Sequence, residues 1–93
     1  MTATIPWDPA DHLDTEEAVA AYLNAAFEDG DPALIAAALG DVARSQGMTR
    51  IARDAGLSRE GLYRALSREG NPELATVMKV LAALGVRLRA TAA

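Results

Sequence analysis

Eight polar residues between positions 49 and 68 have side chains suited to bonding DNA, and most of them fall in one predicted short helix. Arginine can bond a guanine edge with two parallel N–H groups, and hydroxyl side chains can bond phosphate oxygens. Glu60 is the exception, because phosphate repels an acid. It is therefore expected either to accept from cytosine N4 or to orient a neighbouring arginine. The candidate DNA-contacting residues are Thr49, Ser58, Arg59, Glu60, Tyr63, Arg64, Ser67 and Arg68.

The apolar and glycine positions around these residues predict a helix-turn-helix over Met48 to Leu66. Ala52 is small where the two helices would approach most closely, and Gly56 stands where the chain needs a left-handed backbone, which glycine adopts without penalty. Ser58 is the expected N-cap of the second helix and Thr49 that of the first. Apolar residues for the inner faces and the turn are Ile51, Ala55, Leu57, Leu62 and Leu66. The outward face of the second helix would then lie in the major groove, as in phage repressors.

The charge distribution supports this interpretation although the chain as a whole is acidic, with a net charge of −4. Residues 1–47 carry nine acidic residues against Arg44 alone, whereas residues 48–93 carry eight bases and four acids. An acidic half joined to a basic half indicates two different partners, one of them nucleic acid. The alternative is that Arg59, Arg64 and Arg68 only solvate an exposed helix face.

The elements that position the motif are predicted to be five helices in a single domain, residues 1–93, of the all-α class. Residues 1–47 form an acidic segment and two helices, residues 48–68 the helix-turn-helix, and residues 69–93 a closing helix and tail. The first helix should run from about Thr15 to Glu28 with Asp14 as its cap. Asp31 should cap the second, with Pro32 in its first turn.

The closing helix should begin after Gly70-Asn71-Pro72, which is typical of a helix break followed by a cap. Its predicted core-facing stripe consists of Leu74, Val77, Met78, Leu81 and Leu84. After Gly85, the run from Val86 to Arg89 alternates apolar and basic residues, which is the periodicity of a strand. This run is either a short β-strand that pairs with another subunit or another protein, or a frayed end of the chain.

Several function classes are disfavoured by composition. The chain has no cysteine and a single histidine, His12, so neither a disulfide nor a thiolate metal site is expected, and no cofactor is predicted. Its start lacks the pattern of a secretory signal and no stretch is long enough to span a membrane, so we expect a cytoplasmic protein. Catalysis is not expected, because the pairs Asp54 with Glu60 and Glu16 with Glu17 sit on predicted exposed faces.

Two long runs of the chain resemble the probable addiction-module antidote family, the antitoxins of type II toxin–antitoxin pairs related to HigA. One run, from Ala52 to Ala90, is ARDAGLSREGLYRALSREGNPELATVMKVLAALGVRLRA. The other, from Trp7 to Arg44, is WDPADHLDTEEAVAAYLNAAFEDGDPALIAAALGDVAR. The resemblance therefore covers nearly the whole sequence.

The resemblance implies a dimeric bacterial antitoxin that neutralises a small basic toxin of the RelE/HigB-like RNase superfamily and represses its own operon by binding operator DNA. Carried onto this sequence, the DNA-reading role falls on Ser58, Arg59, Tyr63 and Arg64. The chain departs from phage-type repressors at Met48, where those proteins often have glutamine.

For the toxin contact, the acidic first half suggests a polyanion that covers a basic RNA-binding surface. Trp7 would serve as an aromatic anchor, although it could instead pack on the protein's own core. The candidate toxin-binding residues are Trp7, Asp8, Asp11, Asp14, Glu16 and Glu17. The candidate dimer residues are Leu84, Val86 and Leu88. Two alternatives stay open: a stand-alone phage-type repressor, and an interaction module that no longer binds DNA.

Overall fold

The computed structural model describes residues 8–93, apart from the side chain of Asp11, and within this range a short 3-10 helix precedes five α-helices. The 3-10 helix spans Pro9–His12. The α-helices are α1 (Glu16–Asp29), α2 (Pro32–Gln46), α3 (Met48–Ala55), α4 (Arg59–Ala65) and α5 (Leu74–Leu84). The predicted all-α, five-helix architecture is confirmed, and the two helices predicted over residues 48–66 are α3 and α4.

Helix α2 lies at the centre of the packing, because it contacts α1, α3, α5 and the 3-10 helix. Helix α3 packs in addition against α4 and α5. Each completely buried leucine or isoleucine contributes about 1.5–3 kcal/mol relative to an exposed side chain. The largest fully buried side chains are Leu23, Leu39, Val42, Ile51, Leu62, Val80 and Leu81.

One close approach in this packing was not anticipated from the sequence. Gly40 is buried in the middle of α2, and a Cβ atom placed on it would lie 2.5 Å from the backbone carbonyl oxygen of Leu66. That distance is too short for any real Cβ contact. Gly40 therefore lets the chain after α4 come against α2, which fixes where α4 ends relative to the rest of the core.

Three predicted helix signals are confirmed. The Asp31 side chain caps α2 by accepting from the N–H of Ala33 at 3.0 Å, with Pro32 next in the chain. The Ser58 hydroxyl caps α4 by accepting from the N–H of Gly61 at 2.9 Å. Gly56 follows α3 with a φ of +72°, the left-handed conformation expected of it.

Three predicted caps are wrong. Thr15, and not Asp14, caps α1 by accepting from the N–H of Ala18 at 3.0 Å, and both residue types cap well enough that sequence does not separate them. Helix α3 begins at Met48, one residue before Thr49, because the Met48 side chain is buried and brings the first turn into the core. The predicted break at Gly70-Asn71-Pro72 is present, but none of these residues caps α5. Its N-cap is Glu73, whose side chain makes no capping bond.

The predicted core stripe of α5 is only partly right. Leu81 and Leu84 are buried, whereas the Leu74 side chain is 70% exposed and that of Met78 is 46% exposed. Residues four apart lie above one another on a helix, so Leu74 and Met78 form one line outside the packed face. An apolar strip is left on the surface of α5.

The tail after α5 has no regular secondary structure, and residues 8–93 contain no strand. Val86 stays attached to the core, half-buried and donating its N–H to the carbonyl of Leu81 at 2.9 Å. The predicted strand required a partner chain for its hydrogen bonds, which this single chain does not supply. Among the described residues, no helix is both long and apolar enough to cross a membrane.

Candidate nucleic-acid interface

The burial of Leu62 at the centre of α4 determines which face of this helix points outward. Leu62 is completely buried, and Ser58 holds the first turn of the helix by its capping bond. As a result the Arg59, Glu60 and Arg64 side chains are exposed, and Tyr63 is 44% exposed. The structure therefore places the predicted contact residues of this helix on one accessible surface, which we call the α4 face: Ser58, Arg59, Glu60, Tyr63 and Arg64.

The arginines divide into two groups according to their ion pairs. On α3, Arg50 and Arg53 both lie near Asp54, with N···O distances of 3.7 Å and 3.4 Å. Among the residues that the structure describes, no carboxylate lies within 4.0 Å of Arg59 or Arg64, nor of the exposed Arg68 beyond the helix. The two arginines of the α4 face are thus not held in ion pairs within residues 8–93.

The acid on this face forms no ion pair with a neighbouring arginine in the described range. Glu60 lies in the first turn of α4, where the partial positive charge of the helix N-terminus favours an acid. Of the two roles predicted for Glu60, orienting a neighbouring arginine finds no support here. Acceptance from a cytosine amino group stays a prediction.

The other three predicted contact residues lie outside α4. Thr49 is exposed in the first turn of α3. The predicted helix-turn-helix extended to position 68, but α4 ends at Ala65, so Ser67 and Arg68 lie in the turn that follows. The Ser67 hydroxyl donates to the carbonyl of Arg64 at 2.9 Å, which helps to end the helix.

A polar cluster that joins α2 to α1 and to the residue before the 3-10 helix borders this interface, and it was not predicted from the sequence. Arg44 donates from Nη1 to Asp8 Oδ2 at 2.9 Å, from Nη2 to Asp8 Oδ1 at 3.0 Å, and from Nη2 to Asp41 Oδ1 at 2.6 Å. The hydroxyl of Tyr22 donates to the second Asp41 oxygen. We call these four residues the Arg44 clamp. The spacing of Asp41 and Arg44 on one helix was the only local signal, because Asp8 lies 36 positions away.

The clamp shifts the pKa of three of its members, Asp8, Tyr22 and Arg44. Hydrogen bonds from Arg44, and then from the N–H of Ala10, hold the pKa of Asp8 below its usual value. The bonds to Asp8 and Asp41 raise the pKa of Arg44 still further above neutral pH. Partial burial, followed by the bond to Asp41, raises the pKa of Tyr22 to about 12. Asp8 is therefore ionised, and Tyr22 is neutral, throughout the physiological range.

The clamp and the α4 face meet in one cleft. Its lining includes Asp41 and Arg44 from α2, Met48 at the start of α3 and Tyr63 from α4. Arg44 thus lies next to the predicted DNA-contacting surface, although it was not among the residues predicted to belong to it.

The six predicted toxin-binding residues are not brought together in one described site. Trp7 and the Asp11 side chain lie outside the described residues, and Asp8 is engaged by Arg44. The Asp14, Glu16 and Glu17 side chains are exposed around the start of α1.

The predicted dimer residues lie in three different environments. Leu84 is only 8% exposed and belongs to the protein's own core, so its side chain is not available to a partner. Val86 is half-buried, and Leu88 is 44% exposed. Leu88 borders an apolar groove whose lining includes Phe27, Ile35, Leu74 and Val77. In the described residues no group of three or more histidines and acids could hold a metal ion.

Comparison with known proteins identifies the family. The sequence profile of the probable addiction module antidote protein family matches residues 3–92. An uncharacterised protein of Haemophilus influenzae is 53% identical over 83 residues, covering 89% of this chain and 86% of the relative. No solved structure matches. The chain belongs to the addiction module antidote family, and its function is that of an antitoxin with a cognate toxin as partner.

Proposed function

We propose that this antidote also represses its own operon, with α3 and α4 acting as a helix-turn-helix and the α4 face entering the major groove of operator DNA. The observation that carries the proposal is the contrast between the arginines. Those of α3 are paired with Asp54, whereas Arg59 and Arg64 project from α4 with no carboxylate within 4.0 Å in residues 8–93. Phosphate and guanine edges are the groups that such arginines bind in DNA.

Each residue of the proposed interface has a distinct role. Arg59 and Arg64 read base edges or bind phosphates, and the Ser58 and Tyr63 hydroxyls bind phosphates beside them. Glu60 accepts from a cytosine amino group. Three further phosphate contacts come from outside α4: Thr49 in the first turn of α3, and Ser67 and Arg68 in the turn after α4.

Repression requires a dimer, because one α4 helix covers about one half-site and two half-sites lie roughly 34 Å apart. The exposed apolar residues Leu74 and Leu88 on the groove beside α5 supply a surface for it. Sedimentation of a Leu88→Asp variant should show monomer where the wild type shows dimer. Ala90→Asp is the matched control, since it adds the same charge at an exposed position of the same tail; equal behaviour of the two variants would contradict this dimer surface.

The proposed toxin is a small basic protein of the RelE/HigB-like RNase superfamily in the bacterial cytoplasm, bound through the acidic residues between positions 7 and 17. Support comes from Asp14, Glu16 and Glu17, which are exposed and form no ion pair within the described residues. Their negative potential complements a surface built to bind RNA phosphates. Trp7 and Asp11 are proposed contacts from the same segment, and Asp8 contributes when Arg44 releases it.

A matched pair of double variants tests the toxin surface. Glu16→Gln with Glu17→Gln removes two charges at the start of α1, and Glu28→Gln with Asp29→Asn removes two at its end. Capture of the co-encoded toxin should weaken severalfold only for the double variant at Glu16 and Glu17. Equal capture by the two double variants would mean that the acids at the start of α1 form an ordinary solvated surface.

The salt dependence of DNA binding tests the repressor function. The probe is a duplex of the DNA upstream of the protein's own reading frame, followed by fluorescence anisotropy. Each phosphate contact contributes about −0.9 to the slope of log affinity against log salt, so Arg64→Ala should flatten the slope by about that amount per subunit. Arg53→Ala, which removes the same charge from α3, should leave the slope almost unchanged. If neither variant changes the slope, α3 and α4 are only a scaffold for protein contacts; if both flatten it equally, the contrast between the arginines of α3 and α4 is wrong.

A further inference from the structure

The guanidinium of Arg44 is bound by Asp8 through two parallel hydrogen bonds, of 2.9 Å and 3.0 Å. This is the two-pronged arrangement that a guanidinium also forms with a phosphate group. The third bond, to Asp41 at 2.6 Å, uses a different hydrogen of Nη2. The two N–H groups that Asp8 occupies are therefore the ones that a phosphate would use, while Asp41 keeps the side chain in place.

The position of the clamp favours a DNA phosphate as the competitor. Arg44 lines the same cleft as Tyr63 of the α4 face and Met48 at the start of α3. In a helix-turn-helix docked on DNA, the first helix crosses the backbone of the duplex beside the helix that enters the groove. Arg44 thus stands at the edge of the surface over which a DNA backbone would run.

The bond between Asp8 and Arg44 is accessible to a competing anion. The two side chains are 39% and 35% exposed, so a phosphate can approach the guanidinium from solvent. The formal charges of Asp8, Asp41 and Arg44 sum to −1, which repels DNA. When Asp8 leaves, Arg44 and Asp41 form a neutral pair with two free N–H donors.

We infer that Asp8 is an intramolecular substitute for a DNA phosphate, which competes with the operator backbone for Arg44 and so lowers the affinity of the protein for DNA. Arg44 is then a further DNA-contacting residue, available only when the N-terminal segment releases it. The inference depends on the proposed DNA binding by α4. It adds a contact on α2 and a reason why the acidic start of the chain affects that binding.

The test compares Asp8→Asn with Asp14→Asn in anisotropy titrations of the upstream duplex. Both variants remove one charge, but Asp14 has no ion pair in residues 8–93, and asparagine at position 8 can still accept from the N–H of Ala10. Asp8→Asn should bind about two- to fivefold more tightly, the range that exposed ion pairs span. Its salt slope should steepen by about 0.9 per subunit, for one more phosphate contact. Asp14→Asn should change neither quantity appreciably.

A variant of Arg44 separates this competition from a general effect of charge. Arg44→Gln retains a donor for Asp41, and its folding is checked by thermal melting. The gain from Asp8→Asn should vanish in the Arg44→Gln background. Equal affinities of Asp8→Asn and Asp14→Asn, or a gain that survives Arg44→Gln, would overturn the inference while leaving DNA binding by α4 intact. If neither the wild type nor Asp8→Asn binds the upstream duplex or a shuffled duplex at low salt, both the inference and the proposed repressor function fail.

Discussion

The guanidinium carbon of Arg59 lies 5.7 Å from the centre of the Tyr63 ring, one turn further along α4. This cation–π contact contributes about 0.5–1 kcal/mol at an exposed site and holds the arginine over the outward surface of the helix. Ordering the side chain before DNA binds reduces the entropy that binding would otherwise cost. Tyr63 therefore supports Arg59 in addition to offering its own hydroxyl.

Substitutions of Tyr63 separate these two contributions. Tyr63→Phe keeps the ring and should lower affinity for the upstream duplex only a few-fold, through loss of the hydroxyl contact. Tyr63→Leu also removes the ring and should lower affinity further, by an additional factor of about two to five. Anisotropy titrations at fixed salt measure both values. Equal losses for the two variants would show that the contact with Arg59 has no role in binding.

Ser58 both caps α4 and is a proposed DNA contact, and two substitutions separate its effect on stability from its effect on DNA binding. Ser58→Ala removes the acceptor for the N–H of Gly61 and should reduce the free energy of unfolding by about 1 kcal/mol. Ser58→Asp also caps a helix and should leave stability nearly unchanged, yet its charge would face phosphate and weaken DNA binding. Urea unfolding and anisotropy together provide the two readings. A Ser58→Asp variant that binds DNA as tightly as the wild type would place Ser58 away from the duplex.

Gly40 should be intolerant of even one methyl group. The Cβ of alanine would lie 2.5 Å from the Leu66 carbonyl oxygen, so α2 and the end of α4 must separate. We expect Gly40→Ala to lower the free energy of unfolding by about 1–3 kcal/mol, the usual cost of overpacking. Helix propensity alone predicts the opposite, a gain of about 0.5–1 kcal/mol. Thermal or urea unfolding decides between the two signs.

The hydroxyl of Tyr22 gives the clamp a measurable pH signature at alkaline pH. Its pKa is raised from 10.0 to about 12 in the folded protein, so the neutral form is favoured on folding. The stability that this shift contributes is complete below pH 10 and is lost as pH rises towards about 12, because the unfolded chain releases the proton first. In a Tyr63→Phe background, the absorbance of tyrosinate should therefore appear about two pH units later in the folded than in the unfolded protein. Coincident titrations would show that the bond from Tyr22 to Asp41 does not persist in solution.

Local chemistry made much of the fold predictable. Proline, glycine and capping residues fix helix ends through the backbone of their own neighbours, which is why Asp31, Gly56 and Ser58 were assigned correctly. The same reasoning failed where two good caps stand side by side, as at Asp14 and Thr15. It also failed at Leu74 and Met78, because an apolar periodicity does not show how much of a helix its neighbours will cover.

The features that the sequence did not reveal depend on distant parts of the chain. The clamp joins Asp8 to Arg44 across 36 positions, and Gly40 meets a carbonyl 26 residues later in the sequence. No local pattern reports such distances. The α4 face could be predicted because a helix repeats locally, whereas the Arg44 clamp beside it required the packing of the 3-10 helix on α2.

The most direct test of DNA binding through α4 is a double variant, Arg59→Ala with Arg64→Ala, assayed for two activities with the fold checked by circular dichroism. We predict that binding to the upstream duplex falls to the level of a shuffled sequence while capture of the co-encoded toxin stays at the wild-type level. Wild-type affinity for the duplex in this variant, or loss of both activities in a protein that is still folded, would contradict the assignment of DNA binding to α4.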